Sequence, residues 1–285
     1  MKRLYQLAAL VLLASPAVAF AQSCTTINTV PAGITTPGKY CLAKDFTLNL
    51  TSGVAIGIGA NDVTIDCDGH TLKNITTVAT NTSVAIKSIG RNNIVIQNCR
   101  VIGGWMNGID LEQNNSADRN SNFYLNIRDN YVAGPFWHGI KVWGSAIEVR
   151  GNQVYDVGRR PNTYAAGIRV GGALASSHHQ VVRDNTIVGT NTNYGAAFGI
   201  FSDASVGSVF FNNGIMATQS KDGVVGYGLY VIGSWNRISD NHVTGVGLPG
   251  EVGIWTKDGS TTCFDNYLRA EGSTTVNCDA GVGNL

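Results

Sequence analysis

Charge is scarce in this chain. Only 14% of its 285 residues are Asp, Glu, Lys or Arg, against roughly 25% in an average protein. The formal net charge is +1, so nothing in the balance argues for a nucleic-acid partner or an anionic membrane surface. No two cysteines stand in a C-x-x-C pair, which makes a structural metal centre a poor expectation. Beyond the first twenty or so residues no stretch is long and apolar enough to span a membrane. Runs of helix-forming residues are few, while glycine reaches 35. An all-β protein is what these shortages leave.

The start of the chain reads as a leader. Lys2-Arg3 precede an apolar run from Leu7 to Ala14, and Ala19-Phe20-Ala21 fits a small-x-small cleavage site. Residues 1–21 are thus expected to be a secretory signal peptide cut after Ala21, with the remainder secreted or periplasmic. Cys24 follows Ala21-Gln22-Ser23, which lacks the Leu-small-small pattern of a lipid-anchored chain, so no anchor is expected. The six cysteines of an exported chain are expected to pair. Sequence alone allows fifteen connectivities. Pairing of neighbours gives Cys24–Cys41, Cys67–Cys99 and Cys263–Cys278, the first and last of which would clamp the two ends.

The rest of the chain repeats. An opening strand recurs at Val84, then as a glycine followed by Ile or Leu at Gly108, Gly139, Gly167, Gly199, Gly228 and Gly253. Between those glycines the steps are 31, 28, 32, 29 and 25 residues. A second unit recurs in register as IQNCRV, IRDNYV, VRGNQV, VRDNTI, FNNGI, ISDNHV and FDNYL, with Asn130, Asn152, Asn185, Asn213, Asn241 and Asn266 at one place. Short strands and turns at a fixed period are the signature of a solenoid, in which each turn stacks on the last at about 4.8 Å. Ile109, Ile140, Ile168, Ile200, Leu229 and Ile254 then form one inward column, and Val132, Val154, Ile187 and Val243 another. Stacked asparagines can satisfy backbone groups along the axis. The glycines before the core Ile allow tight corners or a positive φ.

These I-x-[DN]-N-x-[VI] and G-[IL] units, together with the lead-in PAGITTPGKYCLAKDFTL, resemble the right-handed parallel β-helix repeat family of the pectin-lyase-like superfamily. The resemblance covers most of the chain after the leader. It implies a single-stranded right-handed parallel β-helix of about eight turns over residues 54–270, an N-terminal cap over 22–53 and a C-terminal cap or tail over 271–285. It leaves activity open, because repeat residues are scaffold and the superfamily includes lyases, glycoside hydrolases, epimerases and non-catalytic surface proteins. The Asp-Pro-His motif of uronan epimerases is absent.

A residue one place after the inward Ile points outward. Lys87, Asp110, Lys141, Arg169, Phe201, Tyr230 and Trp255 therefore make an exposed column, followed two places on by Glu112, Trp143, Gly171, Asp203, Ile232 and Lys257. A β-elimination on a uronate needs a base for the C5 proton and a cation for the developing charge. Lys and Arg do this in superfamily lyases, so the resemblance makes Lys141 and Arg169 the candidate catalytic pair. A solvated basic face is the plainer alternative. Asp110 and Glu112, two apart on one strand, could serve as the acid and base of glycoside hydrolysis or hold calcium with neighbours' help. A salt bridge from Asp110 to Lys87 or Lys141 is the competing reading. Calcium is the one cofactor considered. His138 could lean over the groove as another base, with a corner histidine as the alternative. His178 and His179 carry no companions at metal-ligand spacing. Trp143, Tyr230 and Trp255 are expected to bind a polysaccharide by stacking on sugar faces, or else to lie beneath the longer turns 113–122, 159–165 and 190–196. Arg128, Arg150 and Arg183, interleaved with Asp129, Glu148 and Asp184, read as an ion-pair strip. Oligomeric state is left open.

Overall fold

The computed structural model of the protein describes residues 24–113, 124–172, 179–193, 195–221, 224–246, 252–257, 260–270, 273–276 and 278. The leader expected at 1–21 with its cleavage site, His178 and most of the turn 113–122 lie outside them. The described residues contain only strands and turns, and no helix among them is long and apolar enough to cross a membrane.

Among the described residues the strands form three parallel sheets of ten, ten and nine members, with a separate two-stranded pair. Each turn gives one strand to each sheet, and the coil is a right-handed parallel β-solenoid of about eight turns. Sheet 1 includes Asn107–Glu112, His138–Trp143, Ala165–Gly171, Ala197–Val206, Gly226–Ser234 and Val252–Thr256. Sheet 2 includes Leu125–Arg128, Ile147–Arg150 and Gln180–Arg183; sheet 3 includes Tyr131–Ala133, Gln153–Tyr155 and Thr186–Val188.

Register follows the repeat. Ile109, Ile140, Ile168, Ile200, Leu229 and Ile254 pair in succession, and every one is fully buried. Burying such a side chain contributes about 1.5–3 kcal/mol, so a column of them is the main cohesive force between turns. Val132, Val154, Ile187, Ile215 and Val243 form the matching column of sheet 3.

The lead-in does not stand apart from this coil. Thr25–Ile27 and Gly38–Leu42 are the first strands of sheet 2, Ala32–Ile34 the first of sheet 1 and Phe46–Leu48 the first of sheet 3. Ile34 and Tyr40 are buried. At the other end Ser273–Val276 pairs with Val252–Thr256.

The corner between sheets 2 and 3 is set by the Asn unit. Asn130 Nδ2 donates to Asn152 Oδ1 at 2.9 Å, Asn152 to Asn185 at 3.0 Å, Asn185 to Asn213 at 3.0 Å, Asn213 to Asn241 at 2.9 Å and Asn241 to Asn266 at 3.0 Å. The same Oδ1 atoms accept the backbone N–H of the preceding rung. The residue before each rung has a positive φ: Asp129, Gly151, Asp184, Asn212, Asp240 and Asp265. Asp, Asn and Gly tolerate this left-handed conformation better than other residues, which explains the [DN]-N part of the repeat. One turn earlier Cys99 takes the rung position, donating its N–H to Asn130 Oδ1, and is bonded to Cys67. Cys24–Cys41 and Cys263–Cys278 tie the two ends. Cys263 closes the fully buried inward column of sheet 2.

The glycines before the core Ile have a different cause from the one the sequence suggests. None of Gly108, Gly139, Gly167, Gly199, Gly228 and Gly253 has a positive φ. Instead the chain is crowded there: a Cβ on Gly199 would lie 2.3 Å from Ile215 Cγ2 and 2.6 Å from the Gly228 carbonyl oxygen. Gly139 and Gly228 meet the same two obstacles, a β-branched core residue and the carbonyl of the next turn. Close approach, not a left-handed turn, selects glycine.

Candidate functional site

The outward column of sheet 1 forms in the expected register: Lys87, Asp110, Lys141, Arg169, Phe201, Tyr230 and Trp255 are successive partners. Its polar half is a single hydrogen-bonded chain. His138 Nδ1 lies 3.0 Å from Asn107 Oδ1, and Asn107 Nδ2 donates to Asp110 Oδ2 at 2.9 Å. An amide oxygen can only accept, so the His138 proton is on Nδ1. Asp110 Oδ1 is 3.3 Å from Lys141 Nζ, which also donates to Glu112 Oε1. The Asp110 side chain is only 4% exposed and that of Lys141 16%.

Lys141 is therefore held as an ammonium. Burial pulls its pKa down, but Asp110 and Glu112 outweigh burial and the net shift is upward. This is opposite to what a proton-abstracting lysine requires. Asp110 and Glu112 are both occupied by the same cation, the salt-bridged arrangement. For calcium this pair fits poorly: an ammonium already sits between the carboxylates. No group of three or more His, Cys, Asp or Glu is placed to hold a metal among the described residues.

Arg169, one turn on, is enclosed by rings. Its guanidinium carbon lies 5.0 Å from the Trp143 ring centroid, 5.4 Å from Phe201 and 5.5 Å from Tyr164, while Asp203 Oδ2 is 3.4 Å from its Nη2. Trp143 leans across the next turn because position 171 is glycine: a Cβ there would be 2.7 Å from Trp143 Cζ3. Cation and rings thus form one packed unit.

His138 does not lean over the groove. Its ring is fully buried, 4.3 Å from the Trp137 ring and 5.5 Å from that of Tyr164. Burial, with the positive charges of Arg169, Lys141 and Arg160 adding to it, holds its pKa well below the usual value. A neutral, enclosed imidazole cannot reach a ligand. Its ring packs tilted against Trp137 and edge-on against Tyr164.

The other half of the face is aromatic. Phe201, Tyr230 and Trp255 are half-buried and adjacent, with Phe201–Tyr230 centroids 5.6 Å apart and the Tyr230 and Trp255 planes parallel within 2°. A second column runs beside it, Phe198 and Tyr227, stacked at 5.4 Å. Phe198 also stacks on Phe201 at 4.7 Å although the two are three residues apart. Strict alternation would put them on opposite faces. Their stacking puts both on the outer side, so a period-two reading finds Tyr230 and Trp255 but misses Phe198 and Tyr227, and it misses Tyr164, which lies just before the strand Ala165–Gly171. The signal was an aromatic residue directly before the glycine of the repeat, as in Phe198-Gly199 and Tyr227-Gly228.

The second basic column, on sheet 2, is an ion-pair strip. Glu148 lies 2.8 Å from Arg183 and 3.6 Å from Arg150, and Asp184 is 2.7 Å from Arg183. Arg128 has Asp129 at 3.9 Å.

No curated protein matches this chain, and no solved structure does. The family described as right handed beta helix region matches residues 125–270, just over half of the sequence. That span holds the five strands of sheet 1 from His138–Trp143 to Val252–Thr256 and all six Asn rungs. The chain belongs to the right-handed β-helix family.

Proposed function

We propose that this protein is an exported, non-catalytic β-helix that binds an extracellular polysaccharide along the outer face of sheet 1. The observation that carries this reading is the contiguous row of half-buried rings, Tyr164, Phe201, Tyr227, Tyr230 and Trp255, laid across successive turns at about 4.8 Å per turn. A polymer chain needs a long shallow surface, and partly covered rings offer apolar area to the CH faces of sugars. The three disulfides are those of a protein that matures in an oxidising compartment, which agrees with export.

The competing reading is a uronate lyase built on Lys141 and Arg169. Against it stands the pairing of both cations: Lys141 with Asp110 and Glu112, Arg169 with Asp203. Incubating the disulfide-intact protein with uronic-acid and neutral polymers, with and without calcium, separates the two. The expected result is polymer retention with no rise in ultraviolet absorbance from unsaturated products and no new reducing ends. A rise abolished by Lys141→Ala and Arg169→Ala would replace the binding reading with a lyase.

A further inference from the structure

A cavity of about 420 Å³ lies at the corner between sheets 3 and 1, lined by Arg159, Asn191, Asn193, Gln219 and Lys221. Its wall is built from three successive turns. Asn191–Thr192 and Gln219–Ser220 form the separate two-stranded sheet, and the Asn191 N–H is tied to the Val157 carbonyl at 2.8 Å, next to Arg159. The volume falls in the range of roughly 300–1,000 Å³ usual for small-molecule sites.

The lining is one-sided in charge. Arg159 and Lys221 are both exposed, and among the described residues neither has an ion pair and no acidic side chain lines the cavity. Lys141 and Arg169 of the sheet 1 site, by contrast, stand beside Asp110, Glu112 and Asp203. Asn191 Oδ1 is buried and accepts no hydrogen bond. Arg159 has a φ of 135°, a conformation L-residues rarely adopt and one that tends to persist where a site depends on it. The segment that begins with Arg159 leads to Tyr164, which packs edge-on against Phe198 and Phe201 of the aromatic row.

We propose that this cavity is a binding site for an acidic sugar residue, with Arg159 and Lys221 receiving its carboxylate or sulfate. The hydrogen bonds of these two cations to an anion are of the stronger, charge-assisted kind. The inference deepens the polysaccharide reading by assigning the polymer an acidic character, and it is testable without the polymer.

The test is titration of the disulfide-intact protein with glucuronate, glucose 6-sulfate and glucose at low salt, followed by calorimetry or ligand-observed NMR. The two acids are expected to bind and glucose is not, and added salt should weaken binding. Arg159→Ala with Lys221→Ala should weaken acid binding about tenfold or more, while Arg159→Lys with Lys221→Arg keeps most of it. Both side chains are exposed, so the core is untouched. The relative strength of the two acids tells carboxylate from sulfate. Equal binding or no binding of acids and glucose, or acid binding unchanged in the double alanine variant, overturns the proposal. Failure of the polysaccharide reading would show elsewhere, as loss of polymer retention with monosaccharide binding intact.

Discussion

At the scale of the residue, asparagine at the corner carries a donor–acceptor set that few side chains match: one amide oxygen and two N–H groups in a plane. Asn185 uses all of it. Its Oδ1 accepts from the N–H and the Nδ2 of Asn152, and its Nδ2 donates to the Val149 carbonyl and to Asn213 Oδ1. It is 1% exposed. Asn185→Ala therefore leaves the two donors of Asn152 and the Val149 carbonyl without their partner in a place water does not reach. The expected loss is about 1–3 kcal/mol of unfolding free energy, read as a lowered denaturant midpoint. An unchanged midpoint would mean that the rungs are interchangeable with apolar filler. The ladder was legible in the sequence because its positions coincide with the repeat. The role of the repeat glycines was not, because crowding by Ile215 and by the carbonyl of the next turn is a property of stacked coils and leaves no mark on a single one.

At the scale of the element, the sheet 1 strand His138–Trp143 combines an inward column with a polar chain along its outer edge. The sequence placed Lys141, Asp110 and Glu112 on one face, which follows from alternation alone. It could not show that Lys141 would settle between the two carboxylates, since that depends on side-chain reach across a turn. His138 is the element's titration point. Unfolded, it binds a proton near pH 6.5; folded, burial depresses that value far below. Between the two the unfolded chain binds the extra proton. This contribution to stability is complete above about pH 6.5 and is lost as pH falls toward the depressed folded value, by up to about 1.4 kcal/mol per pH unit. The denaturant midpoint should thus drop more between pH 7 and 5.5 in the native sequence than in His138→Gln, which does not titrate. Parallel losses in both would show that another group sets the slope.

At the scale of the whole molecule, a stack of parallel turns converts sequence period into linear surfaces. One face carries an ion-pair strip from Arg128 to Arg183, the other runs from the charged end at Asp110 to the aromatic end at Trp255. The architecture was readable because every turn repeats its glycine, its inward Ile and its Asn rung. What the face binds was less readable, because Phe198, Tyr227 and Tyr164 reach it from positions that strict alternation assigns to the inner side. The central claim is that this ring row holds a polysaccharide. The most direct measurement is co-sedimentation or affinity electrophoresis with extracellular polysaccharides for the native protein, Tyr230→Ala, Trp255→Ala and Trp235→Ala. Trp235 is 75% exposed and lies outside the row, so it serves as the control. The account predicts that Tyr230→Ala and Trp255→Ala each weaken retention about 5- to 150-fold, at about 1–3 kcal/mol per stacked ring by analogy with base stacking, while Trp235→Ala retains as the native protein does. Retention that survives both row substitutions, or that is lost equally in Trp235→Ala, would contradict it.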